Sequence, residues 1–207
     1  MKKYLFFDTE TTGVPPAPFP APSLWEEWPR MVQIAFLVCD EQGRRLKHYC
    51  EVIKPMGYTI PDNMIHGISH EEALRVGVPV RDALLALQKE ASACNAVIAH
   101  NLDFDLGIVN AEAYRFAGVA LFENCVCFCT QKQTTSTLRI LKRPGQRGTA
   151  TLKWPSLADL HSFCGFGEIP DAHDAMADAT ACARCFFWIK ERYPAAFEEQ
   201  YLPNPSA

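Results

Sequence analysis

The sequence lacks the features that define several classes of protein. No apolar stretch reaches the roughly 20 residues that a membrane-spanning helix needs. The short apolar run after Lys3 soon meets Asp8, which does not fit a secretory leader. There is no internal repeat and no heptad pattern, which argues against solenoids and coiled coils. We therefore expect a cytoplasmic protein without a membrane partner, and the 207 residues, 48% of them apolar, suit a single domain with a real core.

An excess of basic charge is also missing. The formal net charge is −4, which argues against a protein that coats duplex DNA. Residues 124–158 nevertheless contain no acidic residue. This stretch either steers a phosphate backbone or is a solvated loop, and its basic residues are Lys132, Arg139, Lys142, Arg143, Arg147 and Lys153.

The nine cysteines do not suggest a disulfide framework, because their number is odd and no leader precedes them. Cys182 and Cys185 have a spacing that zinc ligands use, but no second pair completes a set of four. The alternative is that free cysteines act as small buried hydrophobic residues. Three more alternate as one face of a strand would: Cys125, Cys127 and Cys129.

Hydrophobic patterning predicts three consecutive strands and then alternating helices and strands, which indicates an α/β domain with a mixed sheet over residues 1–194. The predicted strands cover 3–8, 31–39, 45–53, 96–99 and 122–128. One short helix is predicted to begin after Ser69. The further predicted helices cover about 79–94, 102–117, 130–141, 156–163 and 174–192. Outside these elements we expect a proline-rich insertion at 14–30 that is extended and not helical, a basic loop at 142–153 and a loose tail at 195–207.

Asp8 and Glu10 are the most informative pair of residues. They end an apolar, aromatic run, and residues two apart on a strand project from the same face. Neighbouring carboxylates repel each other and are costly to bury. Carboxylate oxygens suit hard cations, so the pair predicts a site for magnesium or manganese.

Two further acidic motifs follow later in the chain. Asp103 and Asp105 lie in the first turn of a predicted helix, where negative charge also complements the helix dipole. Asp178 lies one turn inside an alanine-rich helix, so it is expected to be partly buried and paired or metal-bound. His173 can converge with Asp178 only if it lies on the loop before that helix.

The order of these motifs resembles the DEDD superfamily of 3′→5′ exonucleases, of the DnaQ-like type. The resemblance covers roughly residues 3–192, and its motifs are Phe7–Gly13, Ala99–Asp105 and His173–Asp178. The histidine indicates the DEDDh branch, because the sister branch has a tyrosine where Asp174 stands. The segments 28–35, 65–68 and 153–157 also look like parts of this family.

The resemblance implies a single-domain RNase H-like fold, in which helices flank a mixed sheet. It also implies a metal-dependent 3′–5′ exonuclease that releases nucleoside 5′-monophosphates from single-stranded DNA or RNA. His173 would be the general base, and Asp103 would be a neighbour of the site or a helix cap. Two Mg²⁺ or Mn²⁺ ions would be held by Asp8, Glu10, Asp105 and Asp178.

The residues expected to grip the 3′ end are Thr11, Thr12, His66 and Asn101. Phe104 either contacts the sugar or base or anchors the helix start in the core. The same fold could instead carry a catalytically silent nucleic-acid-binding adaptor, and the cysteines could make a zinc-stabilised interaction module. The choice between DNA and RNA, a polymerase partner, and a monomer or homodimer stay open at this point.

Overall fold

A computed structural model describes residues 1–122, 125–139 and 152–194. Most of the predicted basic loop at 142–153 and the predicted tail at 195–207 lie outside these residues.

Five strands form one mixed sheet in the order β3-β2-β1-β4-β5. The first three strands form an antiparallel meander, whereas β4 and β5 run parallel to β1. The strands are β1 (Lys3–Thr11), β2 (Met31–Asp40), β3 (Arg45–Val52), β4 (Ala96–Ala99) and β5 (Cys127–Cys129). The predicted mixed sheet is confirmed, and it places β1 in the centre.

Helices cover both faces of the sheet. One core packs α2 and α3 against the sheet, and a second packs α5 and α6 on the opposite face. Among the described helices, none combines the length and apolarity needed to cross a membrane. The helices are α1 (His70–Val76), α2 (Val80–Ala91), α3 (Leu102–Ala117), α4 (Thr130–Leu138), α5 (Leu157–Phe163) and α6 (Ala175–Arg192).

Three predicted elements have different bounds in the structure. The strand expected at 122–128 includes two residues, 123 and 124, that lie outside the described ranges. In the part described, the strand is Cys127–Cys129, which pairs with the four-residue β4. The helix expected at 130–141 ends at Leu138, since Arg139 adopts a left-handed conformation. The helix expected at 79–94 ends at Ala91, and its proline occupies the N-cap position.

The proline-rich insertion is tied together at its two ends. The Thr12 amide donates to the Arg30 carbonyl over 2.9 Å, and the Arg30 amide donates to the Thr12 hydroxyl over 2.9 Å. Between them the chain is mostly irregular, as expected, but Trp25–Glu27 forms one turn of 3₁₀ helix that the sequence did not predict. The insertion is therefore a closed loop that starts and ends beside β1.

The buried carboxylate of Glu112 holds the end of this loop in place. Glu112 on α3 receives the Arg30 guanidinium at 2.9 Å and the Met31 amide at 3.0 Å. The guanidinium of Arg115 also lies 3.1 Å from Glu112. A buried carboxylate with this many partners is compensated, so it locks the insertion onto the helix.

Trp28 is the apolar anchor of the insertion. It is 4% exposed, and its ring lies over Gly107 of α3 so closely that a Cβ atom there would stand 1.9 Å from the ring. Only a glycine permits this contact.

We expect Gly107→Ala to destabilise the protein by about 1–3 kcal/mol, because the added methyl group forces a buried ring out of place. Gly13→Ala is the matched control, since a Cβ at Gly13 has no neighbour within 4 Å. Urea unfolding of both variants tests this expectation, and equal midpoints would contradict it.

Candidate active site

Four carboxylates from three elements form one acidic cluster beside the central strand. Asp8 and Glu10 project from the same face of β1, Asp105 lies in the first turn of α3, and Asp178 lies in the first turn of α6. Burial first, and then repulsion from Asp105, Asp178 and Glu10, raises the pKa of Asp8 well above its ordinary range. The structure thus brings together the acidic residues that the three motifs predicted.

Negative charge is concentrated in this acidic cluster. Burial, followed by repulsion from Asp178, raises the pKa of Glu10 to about 8. Burial also raises the pKa of Asp105 to about 7 and raises the pKa of Asp178. Carboxyls in this state gain strongly from a multivalent cation, because it removes both the repulsion and the unfavourable burial of charge.

Thr9 fixes the position of Asp105. The Thr9 amide and hydroxyl both donate to Asp105 Oδ1, over 3.0 Å and 2.8 Å. These bonds favour the ionised carboxylate, so they oppose the upward shift that burial causes in its pKa. The two carboxylates that flank Thr9 in sequence point to the site, and Thr9 holds the third one against the same strand.

His173 lies in the turn before α6, on a backbone with φ of 72°. Its amide donates to Asp178 Oδ2 over 3.3 Å. Ligand atoms of Glu10, His173 and Asp178 all lie within 4.8 Å of one another. The exposed imidazole therefore lies beside the carboxylates. His173 is on the loop before α6, which is where it has to be in order to meet Asp178.

Gln33 and Asp174 are positioning residues that sequence reasoning did not assign to the site. The Gln33 amide group donates to Asp174 Oδ2 over 3.1 Å and accepts from the Ala175 amide over 3.0 Å. Asp174 Oδ1 caps α6 by accepting from the amides of Met176 and Ala177. These bonds fix the start of α6 against β2, which sets the position of Asp178. Asp174 could have been found from the N-cap preference for aspartate, whereas Gln33 carries no local signal.

Thr11 and Thr12, which were expected to bind the 3′ end, use their hydroxyls in hydrogen bonds within the protein. Thr11 Oγ1 donates to the Gly13 carbonyl over 2.6 Å, and Thr12 closes the insertion as described above. His66 differs, because its Nδ1 accepts from the Ile68 amide over 3.0 Å. Burial lowers the pKa of His66, and an interaction with the Thr11 backbone partly opposes this shift. The imidazole is therefore held beside the end of β1.

The remaining predicted residues lie at the start of α3. Asn101 occupies the N-cap position with φ of 63°, and its side chain makes no capping hydrogen bond. Phe104 is partly buried and packs against the core, but its ring also borders the insertion. Asp103 is not the cap that the sequence suggested, since it is exposed and forms an ion pair with Lys132 at 2.5 Å.

His100 sits beside the second motif but is held as a structural residue. Its Nε2 donates to the Pro155 carbonyl over 3.0 Å, so in the neutral ring Nδ1 accepts from the Thr130 hydroxyl over 2.9 Å. Burial lowers the pKa of His100 to about 4. This neutral imidazole ties the segment before α5 to the end of β4.

The donor set fits a hard divalent cation. Several carboxylates and an imidazole converge, and oxygen-rich sites of this kind suit magnesium or manganese. The cysteines show a different environment: all nine are free thiols, and Cys182 and Cys185 are buried in the core between α6 and the sheet. Within the described ranges, no group of three or more potential metal ligands includes a cysteine.

Comparisons with known proteins agree with this geometry. The model of the RNase T exonuclease family matches residues 5–186. The chain therefore belongs to this exonuclease family, and the predicted DnaQ-like membership with an RNase H-like fold is confirmed. The description of this family is that of an exonuclease.

Solved structures of exonuclease I share the fold. One matches with a TM-score of 0.70 at 22% identity and covers 96% of this chain and 43% of its own. The Escherichia coli enzyme in complex with a dT13 oligonucleotide matches with a TM-score of 0.68 at 21% identity, covering 96% and 43%. The moderately thermophilic enzyme from Methylocaldum szegediense gives 0.70 at 21%, covering 96% and 42%.

A curated relative comes from Mycobacterium tuberculosis (strain CDC 1551 / Oshkosh), and its name describes a bifunctional exonuclease/endonuclease protein. It is 25% identical over 169 residues, which are 78% of this chain and 24% of the relative. The chain thus spans about a quarter of that relative and less than half of the matched exonuclease I chains.

Asp8→Asn should stabilise the metal-free protein, because it removes one of the mutually repelling charges. Carboxyls with raised pKa values bind protons more tightly in the folded state, so metal-free protein loses stability as pH rises from the ordinary carboxyl range towards about 8. We expect a melting temperature higher by about 2–4 °C at alkaline pH, with a smaller difference at acidic pH.

The same variant should lose the thermal stabilisation that Mn²⁺ gives the wild type. Asp62→Asn, at an exposed loop position, is the control that should change neither property. A metal-free Asp8→Asn protein that melts below the wild type at alkaline pH would contradict the electrostatic argument.

Thr9→Val should weaken metal binding while it preserves the fold, because it removes the hydroxyl donor to Asp105 and keeps the amide donor and the shape. Loss of a bond that orients a ligand typically costs about 10–100-fold in metal affinity. The measurement is the Mn²⁺ concentration at half-maximal thermal stabilisation. Thr9→Ser keeps the hydroxyl and should remain near the wild type; similar values for both variants would refute the role of the bond.

Proposed function

We propose that this protein is a metal-dependent 3′–5′ exonuclease that acts on single-stranded DNA or RNA and releases nucleoside 5′-monophosphates. The observation that carries the proposal is the convergence of four carboxylates and one imidazole at the end of the central strand. A catalytically silent adaptor would have no need to keep such an electrostatically costly group together.

The residues that would hold the cations are Asp8, Glu10, Asp105 and Asp178. Bound Mg²⁺ or Mn²⁺ would offset charge on the phosphate and make an attacking water acidic enough to lose its proton near neutral pH. The carboxylates would hold this chemistry in a fixed place, because Thr9 and the start of α6 orient them.

His173 would act as the general base. Its side chain borders Glu10 and Asp178 and is exposed, so the imidazole can take the proton from the attacking water and pass it to solvent. The hydrogen bond from its amide to Asp178 holds the turn that carries the ring beside the carboxylates. The leaving 3′ oxygen takes up a proton as the bond to phosphorus breaks.

Recognition of the terminal nucleotide would fall to His66 and Asn101. The His66 imidazole lies beside the Thr11 backbone at the end of β1, where it could also donate to a sugar hydroxyl. The Asn101 side chain is not used in capping α3, so its amide group is available for the same purpose. A requirement for a 3′-terminal sugar would make the reaction exonucleolytic.

Single-stranded substrates are supported by the fold relatives, because E. coli exonuclease I has been solved with dT13 and dA16 oligonucleotides. Unpaired bases can also splay and stack in a site that must reach the terminal phosphate. Digestion of matched DNA and RNA substrates shows which of the two nucleic acids the protein prefers.

The test is digestion of 5′-labelled DNA and RNA oligonucleotides, single-stranded or with recessed 3′ ends, in Mg²⁺ or Mn²⁺. We expect a ladder that shortens from the 3′ end, nucleoside 5′-monophosphates as products and no reaction in EDTA. Full-length substrate in both metals, or cleavage at internal positions first, would overturn the proposal.

His173→Ala should lower the rate of digestion by about 10²–10⁴-fold, the usual contribution of a general base. His48→Ala is the matched control, because His48 is exposed on the outer strand β3. Single-turnover rates measure the effect. Equal rates for the two variants would remove His173 from the mechanism.

A further inference from the structure

The proline-rich insertion contacts residues next to two of the carboxylate motifs. It leaves β1 two residues after Glu10 and returns at Arg30, and both ends are hydrogen-bonded together at Thr12. Its inner part then crosses to α3, the helix that begins just before Asp105. The insertion therefore connects the chain that follows the first carboxylate motif to the helix that carries the second.

Phe19 is the insertion residue that reaches the second motif. Its ring centroid lies 6.2 Å from that of Phe104, the residue immediately before Asp105, and the rings are tilted by 58°. On another side its centroid lies 5.6 Å from that of Trp28. Phe19 is nevertheless 42% exposed, so two rings support it and the rest of its surface faces solvent.

The support beneath Phe19 is rigid. Trp28 is buried on Gly107, and the chain end behind it is held by the ion pair of Arg30 with Glu112. Prolines flank Phe19 at positions 18 and 20, which restricts the local backbone. An aromatic ring that is already held in place loses little conformational freedom when a ligand stacks on it.

We propose that Phe19 is a substrate-binding residue that stacks on one of the last two nucleobases of a single-stranded substrate. The inference rests on the proposed exonuclease function and extends it to a contact that the catalytic motifs do not contain. Every nucleobase presents an aromatic face, so such a contact strengthens binding without selecting a sequence. The insertion would thereby make binding depend on the bases at the 3′ end as well as on its phosphates.

The experiment measures binding of fluorescent oligothymidylates by anisotropy, with Ca²⁺ in place of Mg²⁺ and intact substrate checked on gels. One oligonucleotide has normal nucleotides throughout, and the other has abasic nucleotides at its last two positions. We expect Phe19→Ala to weaken binding of the normal oligonucleotide about 5- to 100-fold, which is the usual range for loss of one stacked base. Its affinity for the abasic oligonucleotide should equal that of the wild type.

Two further variants separate stacking from packing. Phe19→Trp keeps an aromatic face and should bind the normal oligonucleotide at least as tightly as the wild type, whereas Phe19→Leu keeps apolar volume and should resemble Phe19→Ala. Phe116→Ala is the matched control. Phe116 is a 50% exposed phenylalanine on α3, at the opposite end of that helix from Phe104. It should bind both oligonucleotides normally.

The inference is overturned if Phe19→Ala binds the normal oligonucleotide like the wild type, or if it loses equal affinity for both oligonucleotides. The proposed function fails in a different way, namely when the wild type leaves every substrate intact in Mg²⁺ and Mn²⁺. Because binding is measured without turnover, the two results are independent.

Discussion

Four carboxylates that repel one another lie together beside the central strand, and the rest of the structure has to hold them there. Asp8, Glu10, Asp105 and Asp178 come from elements far apart in the chain, and each has a raised pKa because burial and its neighbours disfavour its charge. Such a group persists only where the surrounding structure leaves it no alternative. The apolar cores on both faces of the sheet provide that rigidity, because they hold β1 at its centre.

A small number of polar contacts set the geometry of the site. Thr9 binds the carboxylate of α3 to the central strand, and Gln33 binds the first turn of α6 to the neighbouring strand. Small residues, Ala175 and Ala179, are fully buried where α6 approaches the sheet. The helix can therefore come close enough for its acidic residue to join the others, and His173 is carried in on the preceding turn.

The proline-rich insertion is attached to the same frame. Its closed base, its ion pair with Glu112 and the ring of Trp28 on Gly107 attach it to the helix that carries the second motif. The exposed Phe19 therefore belongs to the same surroundings as the acidic residues. The aromatic surface that we propose for substrate binding adds to the site without altering the carboxylates.

Strand alternation, helix caps and short motif spacings are local, so the order of the elements and the acidic motifs can be predicted from the sequence alone. Local patterns are less reliable for the length of a paired strand: in the described part of 122–129 the strand is Cys127–Cys129, which pairs with the four-residue β4. The contacts by which Thr9 and Gln33 hold the site, and the contact of Phe19 with Phe104, arise only when the chain folds. Those contacts join positions remote in the chain, and their existence depends on packing and closeness that no single segment encodes.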